Sequence, residues 1–276
     1  GHRDAPGMKD APGLILFSGG ILALLYGLSS AGLRFDWLSW QTPFWLLLAG
    51  FLWWWLYRHA RNHPAPFFPI ELLRITAIRR ISFSTMCSTF CMLSLLYYVP
   101  IYLQLAMNVG VGRAGVLVAP VMAGMVCGGI LTGIIVSRTG RPQPLPVYGL
   151  SFATLALLVL AVVPASVPVV VMVGLFCGLG IGPTMPTSQL IIQAVTGPER
   201  LGAGTSVVSL ARTLGAALGT AVTGAVIYSQ LPGVDVKALG NAAAIPAGVD
   251  VVGAFHTAFF VVACVAALGA YNASRV

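Results

Sequence analysis

Arg212 is the only charged residue that falls well inside an apolar run, in the segment SLARTLGAALGTAVTGA (209–225). An arginine facing lipid at the centre of a helix costs at least about 2.5 to 3.5 kcal/mol, so the side chain is expected to face protein or an aqueous cavity and to serve a function there. On a helical wheel Thr205, Ser209, Arg212, Ala216, Gly219 and Thr223 share one side, while Val207, Leu210 and Leu214 share the other. A second chemical signal is a set of prolines inside apolar runs. These are Pro100 in YYVPIYLQ, Pro120 in VLVAPVMAG, and the pair Pro183 and Pro186 in GLGIGPTMPTSQ. Each proline removes an amide and frees a carbonyl four residues earlier. In hydrocarbon that carbonyl needs a partner from protein or a water-filled cavity, and transporters place broken helices beside their substrate sites; a packing kink is the competing explanation. Counting along two antiparallel helices sets Pro186 at the depth of Arg212 and Gln189 slightly shallower, near the cytoplasmic end of the path. The Gly182 carbonyl, freed by Pro186, and the amide oxygen of Gln189 are therefore the expected partners of the guanidinium.

Other chemistries leave no trace. The seven acidic residues are Asp4, Asp10, Asp36, Glu71, Glu199, Asp235 and Asp250, and none stands at the centre of an apolar run. A proton relay through lipid needs a buried Asp, Glu or His, which leaves His256, better explained as a structural residue. There is no H-E-x-x-H, G-x-S-x-G or phosphate-cradling loop, so an enzyme is not expected. The five cysteines, Cys87, Cys91, Cys127, Cys177 and Cys264, lack the paired spacing of a zinc site or a disulfide framework and are expected to be small core residues. No metal or cofactor is expected.

The elements that must position Arg212 and the prolines follow from composition. Of the 276 residues, 58% are hydrophobic and 8% charged, against about 25% charged in soluble domains. About 20 apolar residues cross a bilayer as a helix, which satisfies its own backbone polar groups. The pattern predicts an all-α membrane bundle of about eight spans: 14–33, 43–57, 81–104, 114–136, 147–163, 167–195, 203–229 and 253–271. The pairs Gly124/Gly128, Gly129/Gly133, Gly174/Gly178 and Gly215/Gly219 predict close helix contacts. The net charge of +8 comes from short Arg clusters between spans, so nucleic acid is not an expected partner. With residues 1–13 cytoplasmic, 11 of the 15 Lys and Arg residues fall on the inner side, and Arg34, Arg113 and Lys237 fall outside. This predicts a multi-pass protein of the inner, or plasma, membrane with both ends cytoplasmic. Trp37, Trp40 and Trp45 fit the outer interface and Trp53, Trp54 and Trp55 the inner one. In the 58–80 connection the stretch FFPIELLR (67–74) predicts a short interfacial helix, and 230–252 reads as a solvated outer loop. The polar opening GHRDAPGMKDAPG carries no initiator Met and no signal peptide, and reads as internal to a longer protein.

Several segments together resemble one family. DAPGLILFSGGILALLYGLSS (10–30), HPAPFFPIELLR (63–74), YYVPIYLQ (97–104), AGVLVAP (114–120) and SLARTLGAALGTAVTGA (209–225) occur in the order and spacing of the major facilitator superfamily, in its fourteen-helix drug:proton antiporter branch. GIIVSRTGRP (133–142) is similar to the second copy of that superfamily's inner-loop motif: Gly133, Arg138, Gly140 and Arg141 match, and Ser137 stands where the motif has an acid. The resemblance implies helices seven to fourteen: a linker at 1–13, two extra helices at 14–57, a cytoplasmic loop at 58–80, and a carboxy-terminal six-helix transport bundle at 81–276. It implies two six-helix bundles that rock about a central site, with inward proton flow driving export of hydrophobic or cationic drugs. Arg212, Tyr98, Tyr102, Gln104, Gln189, Pro183 and Pro186 are then the expected substrate path, and the 133–141 motif a gating loop. Expected partners are membrane lipid, protons, a small hydrophobic or cationic substrate, an amino-terminal six-helix half and, as a further candidate, a periplasmic adaptor. Export of an endogenous metabolite or siderophore, and a non-transporting scaffold or sensor, are the alternatives.

Overall fold

A computed structural model describes residues 11–30, 40–62, 70–164, 166–231 and 250–276, and among them every regular element is helical. Two helices, α1 (Ala11–Ser30) and α2 (Gln41–Asn62), pack on each other as a hairpin, and the short α3 (Ile70–Arg74) leads into the long α4 (Thr76–Met107). The next span is interrupted, as α5 (Val111–Val116) and α6 (Ala119–Thr139), and is followed by α7 (Pro144–Val162). A second interrupted span, α8 (Val167–Ile181) and α9 (Thr184–Thr196), is followed by α10 (Leu201–Ser229) and α11 (Val251–Ala273). The breaks fall where proline cannot donate an amide: Pro120 sits in the first turn of α6, and Pro183 caps α9. Pro100, by contrast, stays inside a continuous α4.

Six of these spans are long and apolar enough to cross a bilayer: α4, α5 with α6, α7, α8 with α9, α10 and α11. Eight were expected. α1 carries a shorter apolar stretch, Pro12–Gly27, and α2 runs further than expected, ending in a polar turn with Arg58, His59 and Arg61. The expected outer Trp37 and the loop 230–252 lie largely outside the described residues. The interfacial segment is helical over Ile70–Arg74, with Leu72 buried and Glu71 and Arg74 exposed.

Packing is built on small residues. A methyl group added at Gly124 or Gly178 would strike the backbone oxygen of Leu175 or Val121, so α6 and α8 touch backbone to backbone. Gly215 and Gly219 bring α10 equally close to α4 at Met86 and Phe90. The Gly129/Gly133 pair departs from expectation, since a methyl group added at either would meet nothing within 4 Å. The reason is helical phase: both lie on the face of α6 turned away from Gly124 and Gly128. Two cysteines depart as well. Cys87, Cys91 and Cys177 are buried, but Cys127 and Cys264 are on the outside of the bundle, where an apolar thiol meets lipid at no cost.

The two ends of the bundle are distinguishable. At one end the Asn272 amide donates to the Arg80 carbonyl at 2.9 Å, Arg80 donates to the Arg275 carbonyl, and Arg200 approaches Glu71 at 4.0 Å. At the other end Tyr102 meets His256 and Thr257 donates to Gln230. The starts of α4 and α10 and the end of α11 therefore share the Arg-rich end.

Candidate functional site

A polar seam runs through the apolar interior. The segment ISFSTMCSTFCMLS of α4 supplies Ser84, Thr85, Ser88, Thr89 and Ser94, all buried. Most of these hydroxyls are internally satisfied: Thr85 and Thr89 donate to carbonyls one turn back, and Ser84 donates to the Gly269 carbonyl of α11 at 3.0 Å. Ser94 ties α4 to α10, lying 2.8 Å from the Thr223 hydroxyl and 3.1 Å from the Gly219 carbonyl. Along α9, Thr187 donates to the Pro183 carbonyl at 2.6 Å and Ser188 to the Met185 carbonyl at 2.7 Å, filling the turn that the prolines disturb.

Three groups in this seam stand buried and unpartnered: Ser88 Oγ on α4, Thr184 Oγ1 on α9 and Arg212 Nε on α10. An unpaired buried polar group costs about 1 to 3 kcal/mol, more for a charged one. The three lie on helices that pack together, α4, α9 and α10. Arg212 lies on the same side of α10 as Gly219 and Thr223, the side turned to α4, while Ser209 on that side is exposed.

Arg212 does not meet its expected partners. No hydrogen bond joins it to the Gly182 carbonyl or to Gln189. The Gly182–Pro183 break is wedged against the helices on its other side: Gly182 abuts Met125 and Gly128 of α6, and the Pro183 ring lies against Gly149 of α7. α9 and α10 touch near their connecting turn, where Gly204 meets Ile192 and Thr196, but further along α10 rests on α4 instead. Equal depth did not mean adjacency.

The remaining expected path residues are spread over the bundle. The Tyr98 hydroxyl donates to the Thr220 carbonyl at 2.7 Å, across the α4–α10 contact. Tyr102 is 1% exposed, tilted against the Phe255 ring and edge-to-face with Phe259, its hydroxyl 3.3 Å from His256 Nε2. Gln104, Gln189, Pro183 and Pro186 are half-buried. Gly133, Arg138, Gly140 and Arg141 are exposed at the Arg-rich end. Gly140 ends α6 with φ 65°, a conformation that suits glycine, and thereby turns Arg141 away from the helix axis. Sequence reasoning missed Ser88, Thr184 and the Tyr102–His256 contact. The hydroxyl spacing in ISFSTMCSTFCMLS was the available signal for the first of these.

A family model described as the Major Facilitator Superfamily matches residues 13–220. The chain belongs to the Major Facilitator Superfamily. Its members are transporters, and among the curated relatives an uncharacterised MFS-type transporter of Mycobacterium tuberculosis is 33% identical over 144 residues, 51% of this chain and 21% of that one. The multidrug transporter protein MdtP of Bacillus subtilis is 26% identical over 225 residues, covering 80% of this chain and 41% of that one. The tetracenomycin C resistance and export protein of Streptomyces glaucescens is 26% identical over 234 residues, 82% and 42%. The chain thus spans less than half the length of these relatives. A bacterial homolog of the human lysosomal transporter Spinster, solved inward-facing and unoccupied, superposes with a TM-score of 0.57 over 95% of this chain and 68% of that one. At 19% identity that likeness speaks for the superfamily fold alone. The chain is a multi-pass membrane protein of the transporter superfamily.

Proposed function

We propose that this chain is the carboxy-terminal part of a secondary active transporter that exports hydrophobic or cationic small molecules in exchange for protons. The observation that carries this reading is the unpartnered set Ser88, Thr184 and Arg212 Nε in the polar seam of a largely apolar bundle of this family. Large apolar walls with a few polar groups hold amphiphiles of varied shape, and the drug and antibiotic export named for two relatives fits such an interior. In this reading residues 14–57 are an inserted helix pair, 81–276 a six-helix transport bundle, and 133–141 its cytoplasmic gating loop. An amino-terminal bundle of six helices completes the cavity in the plasma membrane, with both ends of this chain cytoplasmic. A bare guanidinium repels a cation, so Arg212 needs an acidic partner while a cationic substrate is bound. The seven acids of this chain lie off the span centres, so the partner bundle supplies that acid and the coupling proton with it.

The test uses the intact transporter in vesicles with an imposed pH gradient and a fluorescent cationic dye. Dye movement that collapses with the gradient supports the reading. Dye binding without flux would instead assign a sensor or scaffold, and flux of a siderophore with none of dye would assign an endogenous substrate.

A further inference from the structure

A cleft of about 600 Å³ opens on the flank of the bundle, between the α1–α2 hairpin and α3 on one side and α4 and α10 on the other. Its walls are apolar, with Trp53, Leu73, Phe83, Met86 and Leu210 among them. Its mouth holds Arg74 and Arg79, both exposed and neither in an ion pair among the described residues, although Arg200 nearby does approach Glu71. Ser82, 6% exposed, and Trp53 line it as well, their polar atoms enclosed and unpartnered, with the Trp53 indole nitrogen turned against Gly20 of α1. Trp53, Arg74 and Arg79 stand apart from the seam described above, and Ser82 lies at the start of its α4 segment.

We propose that this cleft binds an anionic phospholipid from the leaflet at the Arg-rich end, with its phosphate between Arg74 and Arg79 and an acyl chain along the apolar wall. Depth supports the assignment. At 1.5 Å per residue along α4, Ser82 lies about 4.5 Å beyond Arg79, and Met86 about 10 Å beyond it. Cations at the mouth and then an apolar wall is the order in which a phospholipid presents phosphate and hydrocarbon. Two guanidiniums with no acid between them select net negative charge over a zwitterionic headgroup, and arginine's planar fork suits phosphate oxygens. A free phosphate would satisfy the arginines but leave the wall unused. The bound lipid joins the α1–α2 hairpin to the transport bundle, because both sides of the cleft contact it.

Native mass spectrometry of the delipidated full-length protein, titrated with phosphatidylglycerol, phosphatidylethanolamine or inorganic phosphate, tests this. The expected result is one saturable phosphatidylglycerol adduct, formed at a several-fold lower concentration than the phosphatidylethanolamine adduct. Arg74→Ala with Arg79→Ala should abolish that preference, while Arg58→Ala with Arg61→Ala, at the same end but outside the cleft, should keep it. Leu210→Trp, which fills the wall and leaves the charges, should weaken phosphatidylglycerol binding several-fold. The four arginines are at exposed positions, so these variants report on binding in a folded protein. Equal affinity for the two lipids, a preference that survives loss of Arg74 and Arg79, or phosphate competing as well as the lipid would each overturn the proposal.

Discussion

Arg212 presents a charge that is half-buried, with its Nε enclosed and unpaired. Its position in an apolar run made it conspicuous in the sequence, and the polar side of its helix was legible there too, since Gly219 and Thr223 do face α4. Its partners were not legible, because counting residues along helices gives depth and says nothing about which neighbour stands alongside at that depth. Substitution separates function from support. In the intact transporter Arg212→Ala is expected to abolish export while membrane insertion and expression stay normal, because the enclosed Nε makes no hydrogen bond that the fold would lose. Arg212→Lys keeps the charge but loses the fork that binds several acceptors at once, so it should be strongly impaired as well. Normal export by a normally expressed Arg212→Ala protein would reject the role, and degradation before insertion would make the residue structural. Export per molecule inserted, measured alongside surface expression, decides among these outcomes.

Helices are where the sequence was most readable, for a physical reason: in lipid a span has to satisfy every backbone group itself, so apolar length and helix length coincide. The interruptions at Gly182–Pro183 and before Pro120 follow from proline chemistry, whereas Pro100 leaves α4 continuous and shows that neighbouring contacts decide whether a freed carbonyl becomes a break. Glycine spacing carried less information, since a small-xxx-small pair marks a close contact only if its face meets another helix. Gly178 lies against the backbone of α6, but Gly133 faces open space. Gly178→Val should therefore lower stability by about 1 to 3 kcal/mol through overpacking, visible as a depressed thermal unfolding midpoint in detergent. Gly133→Val should leave that midpoint nearly unchanged. If Gly133→Val impairs transport all the same, its effect belongs to the gating-loop motif and the face it presents to the rest of the transporter. Equal midpoint shifts for the two variants would contradict the helix contacts described.

At the scale of the whole molecule, charge and topology make one joint claim. The odd and even spans alternate direction, and the ends of α2, α6, α9 and α11 and the starts of α3, α7 and α10 gather at the end that holds Arg80, Arg138, Arg200 and Arg275. Arg58 and Arg61 stack over Trp54 and Tyr57 at 5.3 and 5.8 Å, an interfacial arrangement of aromatic ring and cation beside the lipid headgroups. Arg113, on α5, stands exposed at the opposite end. Translocation across a membrane disfavours Lys and Arg in short connections, so the crowded end should be cytoplasmic. Labelling tests this once the five native cysteines are replaced by alanine, Cys127 and Cys264 being the ones on the outside of the bundle. Single cysteines at Arg61 and Thr139 should react with an impermeant thiol reagent only from the cytoplasmic face, and single cysteines at Arg113 and Lys237 only from the other. Reversal of all four would invert the orientation and leave the fold intact. A mixed pattern, with Arg61 and Thr139 on different faces, would break the alternation of spans itself, and with it the alignment of α4, α9 and α10 on which the polar seam depends.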